Sequence, residues 1–387
     1  MGEFIGSDRK ARRCYGFDEI ALCPGAVTIN PGEVDMSWTL ARHKHTCPIL
    51  ASAMDGVVDV RFAIAMGKLG GLAVLNLDGV QTRYDNPELV LRKIAKSTPQ
   101  KATELIQALY TKPIKEKLIA KRVEQIKKAK VDAIVSCIPQ NAEKFGAIAQ
   151  EAGADIFIVQ STVSTVRHVS TQYKVLDIKK FCQKMKIPVI VGNCVTFKVA
   201  LELMEVGADG ILVGIGPGAA CTTRGVLGIG VPQVTATIDC AKARDVYFKK
   251  TKRYVPIITD GGMSTGGDIC KAFACGADAA MVGSAFARAK EAPGGGYHWG
   301  MATSHMNLPR GTRIYVGTTG TLEEILFGPA RLDDGSQNLM GALATSMGNC
   351  GARNLKEMQK TEIIIAPSIR TEGKIFQTVQ RVGMGKA

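Results

Sequence analysis

No run in the 387-residue chain approaches the roughly 20 consecutive apolar residues that a membrane-crossing helix needs. The amino-terminal residues, among them Asp8, Arg9, Lys10, Arg12 and Arg13, lack the apolar centre of a secretion signal, so a cytoplasmic location is expected. Disulfide and zinc frameworks are also missing: the eleven cysteines are odd in number, scattered, and nowhere at zinc-finger spacing, as reduced thiols would be. Cys240 and Cys275 read as small core residues. His168, His298 and His305 are dispersed without metal-ligand spacing, and His298, between Tyr297 and Trp299, is a candidate either to stack on a substrate or to anchor a loop. Acidic residues are in deficit, 35 against 49 Lys and Arg, for a formal charge of +14. Those basic residues are spread over predicted surface helices rather than interleaved with aromatics, so nucleic acid is not the expected partner. The same field would draw in an anionic metabolite such as a nucleotide.

What the chain does have is apolar residues, 46% of the total, enough for a large buried core. They recur as eight short runs: Cys47 to Ser52, Leu72 to Leu75, Ala133 to Cys137, Ile156 to Val159, Pro188 to Val191, Gly210 to Val213, Val255 to Thr259 and Ala279 to Val282. Amphipathic stretches such as Val199 to Val206 and Gly267 to Cys275 separate most of them, and Gly-Ala-Asp precedes three (residues 153–155, 207–209 and 276–278). A helix stop followed by a doubly buried strand is the signature of repeated βα units. Eight such units predict a (β/α)8 TIM barrel, a single domain over residues 1–387; an open doubly wound sheet is the rival and would place its phosphate glycines differently. The charged run Lys115 to Lys130 reads as a solvated helix face, Gln337 to Met358 as a helix, and 293–320 as an irregular flap beside the active site.

In such a barrel the site lies at the carboxyl ends of the strands. Three glycine-rich loops fall there: Gly214-Ile215-Gly216-Pro217-Gly218-Ala219-Ala220-Cys221-Thr222-Thr223-Arg224 after the sixth strand, Asp260-Gly261-Gly262-Met263-Ser264 after the seventh and Gly283-Ser284 after the eighth. Glycines let main-chain N–H groups face a phosphate, while hydroxyls and the nearby arginine suit a thiolate at Cys221.

These motifs, in this order, resemble the IMP dehydrogenase and GMP reductase family over nearly the whole chain. Phe17-Asp18-Glu19-Ile20-Ala21-Leu22, Ser52-Ala53-Met54-Asp55, Gly192-Asn193 and Gly300-Met301 match alongside the three loops. The resemblance implies a purine-nucleotide site: Asp260 on the ribose hydroxyls, Gly262, Gly283 and Ser284 on the phosphate, Ser52 and Met54 near the base, and the backbone of Gly300 and Met301 on the purine ring. Gly218 is placed with the substrate contacts as well. Gln160, Ser161, Asn193 and Gly214 would face a nicotinamide cofactor, NAD. A potassium ion is implied at the carbonyls of Gly216, Gly218 and Cys221. Cys221 would attack purine C2, and the covalent adduct would later be hydrolysed. A homotetramer is implied, with an octamer as the further alternative.

The family runs in two directions, oxidising IMP to XMP or reducing GMP to IMP and ammonia, and this sequence departs from both patterns. Cys221-Thr222-Thr223 looks like the reductase loop and Thr223 supplies its threonine, but Val316 stands where the partner glutamate is expected, with Glu323 and Glu324 as shifted substitutes. The dehydrogenase's Arg-Tyr pair is absent, though Arg310, Arg313 and Tyr315 lie in the flap as catalytic candidates. Ala219 replaces a phosphate-contacting serine, and Gln160-Ser161 an Asp-led strand end. The segment between Leu75 and Ala133 is too short for the tandem CBS module carried by most dehydrogenases. IMP oxidation is the preferred expectation and GMP reduction the alternative; a non-catalytic nucleotide-binding barrel and an RNA-binding role are less favoured.

Overall fold

The computed structural model describes residues 2–41, 43–300 and 312–383. Each apolar run forms a strand: β1 (Ile49–Ala51), β2 (Leu72–Asn76), β3 (Ile134–Cys137), β4 (Ile156–Gln160), β5 (Val189–Cys194), β6 (Gly210–Val213), β7 (Ile257–Asp260) and β8 (Ala279–Val282). All pair in parallel and in chain order, and β8 closes on β1 through Ala280 opposite Ile49 and Val282 opposite Ala51. This is the (β/α)8 barrel, with side chains filling its interior and helices covering the outside. Every strand residue is buried except the last of β4 and of β7, Gln160 and Asp260. Both of these polar residues sit at the carboxyl ends of their strands.

The Gly-Ala-Asp repeats fasten the barrel in pairs of strands. Gly153, Gly207 and Gly276 take positive φ just past a helix end, the left-handed turn that glycine favours. The aspartate that follows grips the start of the preceding strand twice. Asp155 donates its N–H to the Ala133 carbonyl (2.9 Å) and accepts the Ala133 N–H on its carboxylate (2.7 Å); Asp209 does the same to Val189, and Asp278 to Ile257. A cation sits on each: Lys127 on Asp155, Arg253 on Asp209, Arg244 and Lys356 on Asp278.

A hairpin lies at the amino-terminal end of the barrel. The hairpin Trp38–Leu40/His43–His45 is held by Trp38 Nε1 donating to the Cys47 carbonyl (3.1 Å), and Leu40 packs against Gly210 and Ile190 at the strand starts. The strand Ile20–Leu22 pairs antiparallel with Ile363–Ile365, joining the two ends of the chain.

Between β2 and β3 lie four helices, Val80–Arg83, Pro87–Lys96, Pro99–Tyr110 and Glu116–Lys128, and no CBS module. The last holds the charged run; it buries Leu118, Ile119, Val123 and Ile126 and turns most of its lysines outward. Two expectations need correction. Gln337 to Met358 is two helices, Leu339–Asn349 and Leu355–Met358, because the chain turns at Gly351 with φ +72°. The supposedly irregular stretch after Pro293 contains an antiparallel ribbon, Tyr297–Trp299 with Arg313–Tyr315; its short strands carry no alternation long enough to be seen in sequence. Among the described residues no helix is long and apolar enough to cross a membrane.

Candidate active site

The loops after β6, β7 and β8 meet at the carboxyl end of the barrel around a cavity of about 380 Å³. Gly214 makes the meeting feasible: it leaves β6 with φ +150°, and a Cβ there would lie 2.3 Å from the Asp260 carbonyl oxygen. The loop then crosses the mouth and ends in the short helix Thr223–Leu227. Cys221 stands just before that helix and is the one exposed cysteine of the eleven. Its Sγ lies 3.2 Å from Thr223 Oγ1, and its N–H donates to the Gly218 carbonyl (3.0 Å).

Opposite the thiol, Asp260 is embedded in amides. One carboxylate oxygen accepts from Asn193 Nδ2 (2.8 Å) and Gln160 Nε2 (3.1 Å), and Gln160 also reaches Asn193 Oδ1 (3.2 Å). Burial pushes the Asp260 carboxyl up to about 6, with the Asn193 hydrogen bond pulling the other way. The result is a fixed, two-oxygen acceptor in a largely desolvated wall. Gly283 closes the far side: a Cβ there would meet Met54 Sδ at 2.8 Å, so only glycine leaves backbone open above Ser52 and Met54. Ser284 starts a short helix, and its Oγ lies 3.2 Å from Nε2 of His298. His298 is buried and lines the cavity; burial pushes its imidazole down to about 4, so it is neutral at pH 7. It anchors the flap base instead of serving as a charged acid.

Of the residues named from sequence, Ser52, Met54, Gln160, Ser161, Asn193, Gly214, Gly216, Gly218, Cys221, Thr223, Asp260, Gly262, Gly283, Ser284 and Gly300 all border this one cavity. Met301 and Arg310 lie outside the described residues. Two catalytic candidates are corrected. Arg313 is not at the cavity: its guanidinium donates to the carbonyls of Ala95 and Ser97 and to Ser97 Oγ, also contacts the Ile94 carbonyl, and stacks 4.1 Å over the Tyr297 ring. It anchors the ribbon to the inserted helices. Tyr315 points its ring against Tyr297, 4.5 Å between centroids, and is 64% exposed. The substitute acids are placed away from the thiol too. Glu323 is exposed, while Glu324 caps its own helix with Thr321 and pairs with Arg331.

The carbonyls implied for potassium, those of Gly216, Gly218 and Cys221, belong to a single loop, which lines the cavity. The Gly218 carbonyl accepts the Cys221 N–H, and the Arg224 side chain lies against Gly216, whose Cβ would meet Arg224 Cγ at 2.6 Å.

Sequence reasoning missed Gln233, at the start of the long helix after β6. Its Nε2 donates to the carbonyls of Val213 (2.6 Å) and Asp260 (3.2 Å), tying together the ends of β6 and β7 that carry the thiol loop and the carboxylate. No local pattern marks such a residue, since its partners lie 20 and 27 positions away.

A parallel barrel whose last three loops gather an exposed thiol, an amide-held carboxylate and a run of glycines defines the class: a (β/α)8 barrel with an exposed cysteine at its carboxyl mouth. The family model described as "IMP dehydrogenase / GMP reductase domain" matches residues 14–373, and the chain belongs to this oxidoreductase family. A protein of Mycolicibacterium smegmatis named an uncharacterized oxidoreductase is 36% identical over 370 residues, covering 93% of this chain and 99% of its own. The inosine-5'-monophosphate dehydrogenase of Cryptosporidium parvum is 30% identical, covering 89% of this chain and 90% of its own. Among solved structures, an IMP dehydrogenase/GMP reductase-like protein from Corynebacterium glutamicum superposes with a TM-score of 0.88 at 35% identity, covering 94% of this chain and 97% of that one.

Proposed function

We propose that the protein is an IMP dehydrogenase, oxidising IMP to XMP with NAD and water through a covalent adduct on Cys221. The observation that carries this reading is the exposed Cys221 on one cavity with the half-buried acceptor Asp260 and the backbone at Gly262 and Gly283. Asp260 accepts the two ribose hydroxyls, a role for a carboxylate held by Asn193 and Gln160. Phosphate lies on the N–H groups of Gly262, Gly283 and Ser284, and the base lies over Ser52 and Met54 with its C2 toward Cys221. Gly218 completes the substrate wall, and the backbone at Gly300 and Met301 reads the purine edge. Cys221, as thiolate, adds to C2 and makes the centre tetrahedral. Gln160, Ser161, Asn193 and Gly214 would hold a nicotinamide cofactor beside this centre, and that group would supply the acceptor for the hydride leaving C2. An adjoining hollow of about 380 Å³ that shares Ser161 and Thr162 gives the rest of a dinucleotide room. Water then displaces the thiolate. With Arg313 committed to carbonyls elsewhere, we assign activation of that water to Arg310.

The direction of the reaction turns on carboxylates. Reduction of GMP needs an acid to protonate departing ammonia. Among the described residues the cavity is bordered by one carboxylate, Asp260, and residues 301–311 contain none. One contact favours the alternative reading, GMP reduction with NADPH: Cys221 and Thr223 form the thiol–hydroxyl pair that the reductase loop would use. A paired absorbance assay separates them. NADH appearing only with IMP and NAD supports the dehydrogenase; NADPH consumed only with GMP overturns it. A cytoplasmic homotetramer remains the proposed working form, to be checked by light scattering.

A further inference from the structure

Among the described residues bordering the cavity there is no lysine or arginine. A phosphate bound there is held by neutral donors, and the direction of each hydroxyl proton matters. Of the residues implied for phosphate, Gly262, Gly283 and Ser284, one has a donor on its side chain. Ser284 Oγ carries a single proton, and Nε2 of His298 lies 3.2 Å from it. His298 is 1% exposed, and its other ring nitrogen, Nδ1, is buried without a hydrogen-bond partner among the described residues. The ring is held in place from two sides. Its backbone is pressed against Gly56, where a Cβ would lie 3.0 Å from His298 Cα, and it pairs with Ile314 across the ribbon.

A neutral imidazole has one N–H, so two arrangements are open to this pair. With the proton on Nδ1, a buried donor lacks an acceptor and the Ser284 proton is spent on Nε2. With the proton on Nε2, the imidazole donates to Ser284 Oγ and the hydroxyl proton turns away from the ring, toward the cavity. Orphaned buried donors are rarer in proteins than under-used acceptors, which favours the second arrangement. Burial keeps the ring in the neutral form that this arrangement needs. We infer that His298 sets the phosphate specificity of the site: its Nε2–H holds Ser284 Oγ so that the hydroxyl donates outward to a phosphate oxygen. It is a positioning residue, acting on the ligand through Ser284. A hydroxyl fixed as a donor favours an ionised oxygen over a neutral one, since charge-assisted hydrogen bonds are about twice as strong.

The inference rests on the proposed reading of the cavity as a nucleotide site, and its test keeps the two separable. At pH 8, where Asp260 is ionised, calorimetry on the full chain without NAD gives dissociation constants for IMP and for inosine. Inorganic phosphate is followed by the rise in melting temperature. The wild-type protein should bind IMP at least about 100-fold more tightly than inosine. His298→Met fills the space without an N–H and should weaken IMP about tenfold while leaving inosine within about twofold. His298→Gln keeps an N–H donor and should recover most of that loss. Ser284→Ala should weaken IMP at least as much, and adding His298→Met to it should weaken IMP no further, as expected of two groups acting through one oxygen. Stabilisation by inorganic phosphate should shrink in the same variants. A protein stabilised by phosphate in a His298-dependent way but indifferent to IMP would sink the purine assignment and leave the role of His298 standing; indifference to both ligands would sink both. Equal weakening of IMP and inosine by His298→Met, no weakening of either, or a loss that adds in full to that of Ser284→Ala would overturn the inference. If circular dichroism shows the His298 variants unfolded, neutron diffraction from wild-type crystals with IMP decides: deuterium is expected on Nε2 and between Ser284 Oγ and a phosphate oxygen, and deuterium on Nδ1 overturns the inference.

Discussion

At the scale of single residues, two side chains carry sharply different duties and fail differently. Replacing Cys221 with alanine removes the attacking atom and leaves the carboxylate and cradle untouched. Turnover should fall by at least about 10³-fold, while IMP still raises the melting temperature. Absence of that thermal shift would show that the thiol also holds the nucleotide. Asp260 titrates in the working range. Its carboxyl, at about 6 against an ordinary 3.8, keeps a proton near pH 5 in the folded, nucleotide-free protein that the unfolded chain has released. This group's contribution to stability therefore declines as pH rises from about 4 to 6 and is flat above. Ribose binding needs the ionised form and runs the opposite way, so the IMP-induced rise in Tm should shrink as pH falls through 6. Asp260→Asn should abolish that pH dependence and weaken IMP binding by about 10- to 100-fold, the loss of charge-assisted acceptors.

At the scale of elements, the strands were legible because both faces of each are buried, leaving short unbroken apolar runs between glycine turns. The Gly-Ala-Asp repeats were visible as punctuation; that their aspartates clamp the neighbouring strand was not, since the partner lies some 20 residues back. Asp278 shows what the clamp contributes. Burial alone would raise its carboxyl, yet Arg244 and Lys356 hold it down to about 2, so its stabilisation is present above the ordinary carboxylate range and lost as pH falls toward 2. Asp278→Asn strands a buried Arg244, and chemical denaturation should register a loss of about 3–5 kcal/mol. The charged run between β2 and β3 was read as helical, but the ribbon, and what fastens it to the inserted helices, escaped sequence reading because distant polar contacts hold them together. Tyr110 illustrates this. Its hydroxyl donates to buried Asp55 and accepts from Trp299 Nε1 (2.9 Å), joining an inserted helix to the ribbon and the first-strand loop. Tyr110→Phe leaves the Trp299 N–H without its acceptor and Asp55 Oδ2 with the Val80 N–H alone, and should cost about 1–3 kcal/mol in urea unfolding, with greater protease sensitivity near Trp299. The site itself was legible wherever chemistry dictated a residue type, as at Cys221, Asp260 and the glycines. It was misread at Arg313, because an arginine reads the same in sequence whether it faces water or a nest of carbonyls.

For the whole molecule, the formal charge is +14 and the proposed substrate is an anion. Long-range attraction of this kind is screened over about 10 Å at 0.1 M salt. The KM for the nucleotide should therefore rise several-fold between low and high ionic strength while kcat holds steady; a flat KM would mean that the basic residues serve another purpose. The ribbon bears on variation. Residues 299 and 313 face each other in register, one fixed by a buried indole on Tyr110, the other by a guanidinium locked into the carbonyls of 95–97. A segment spliced between these posts leaves from and returns to one place, and doubling its length adds only about 0.6 kcal/mol of closure entropy. Residues between the two posts can thus be rewritten as a cassette at little cost to the barrel beneath them.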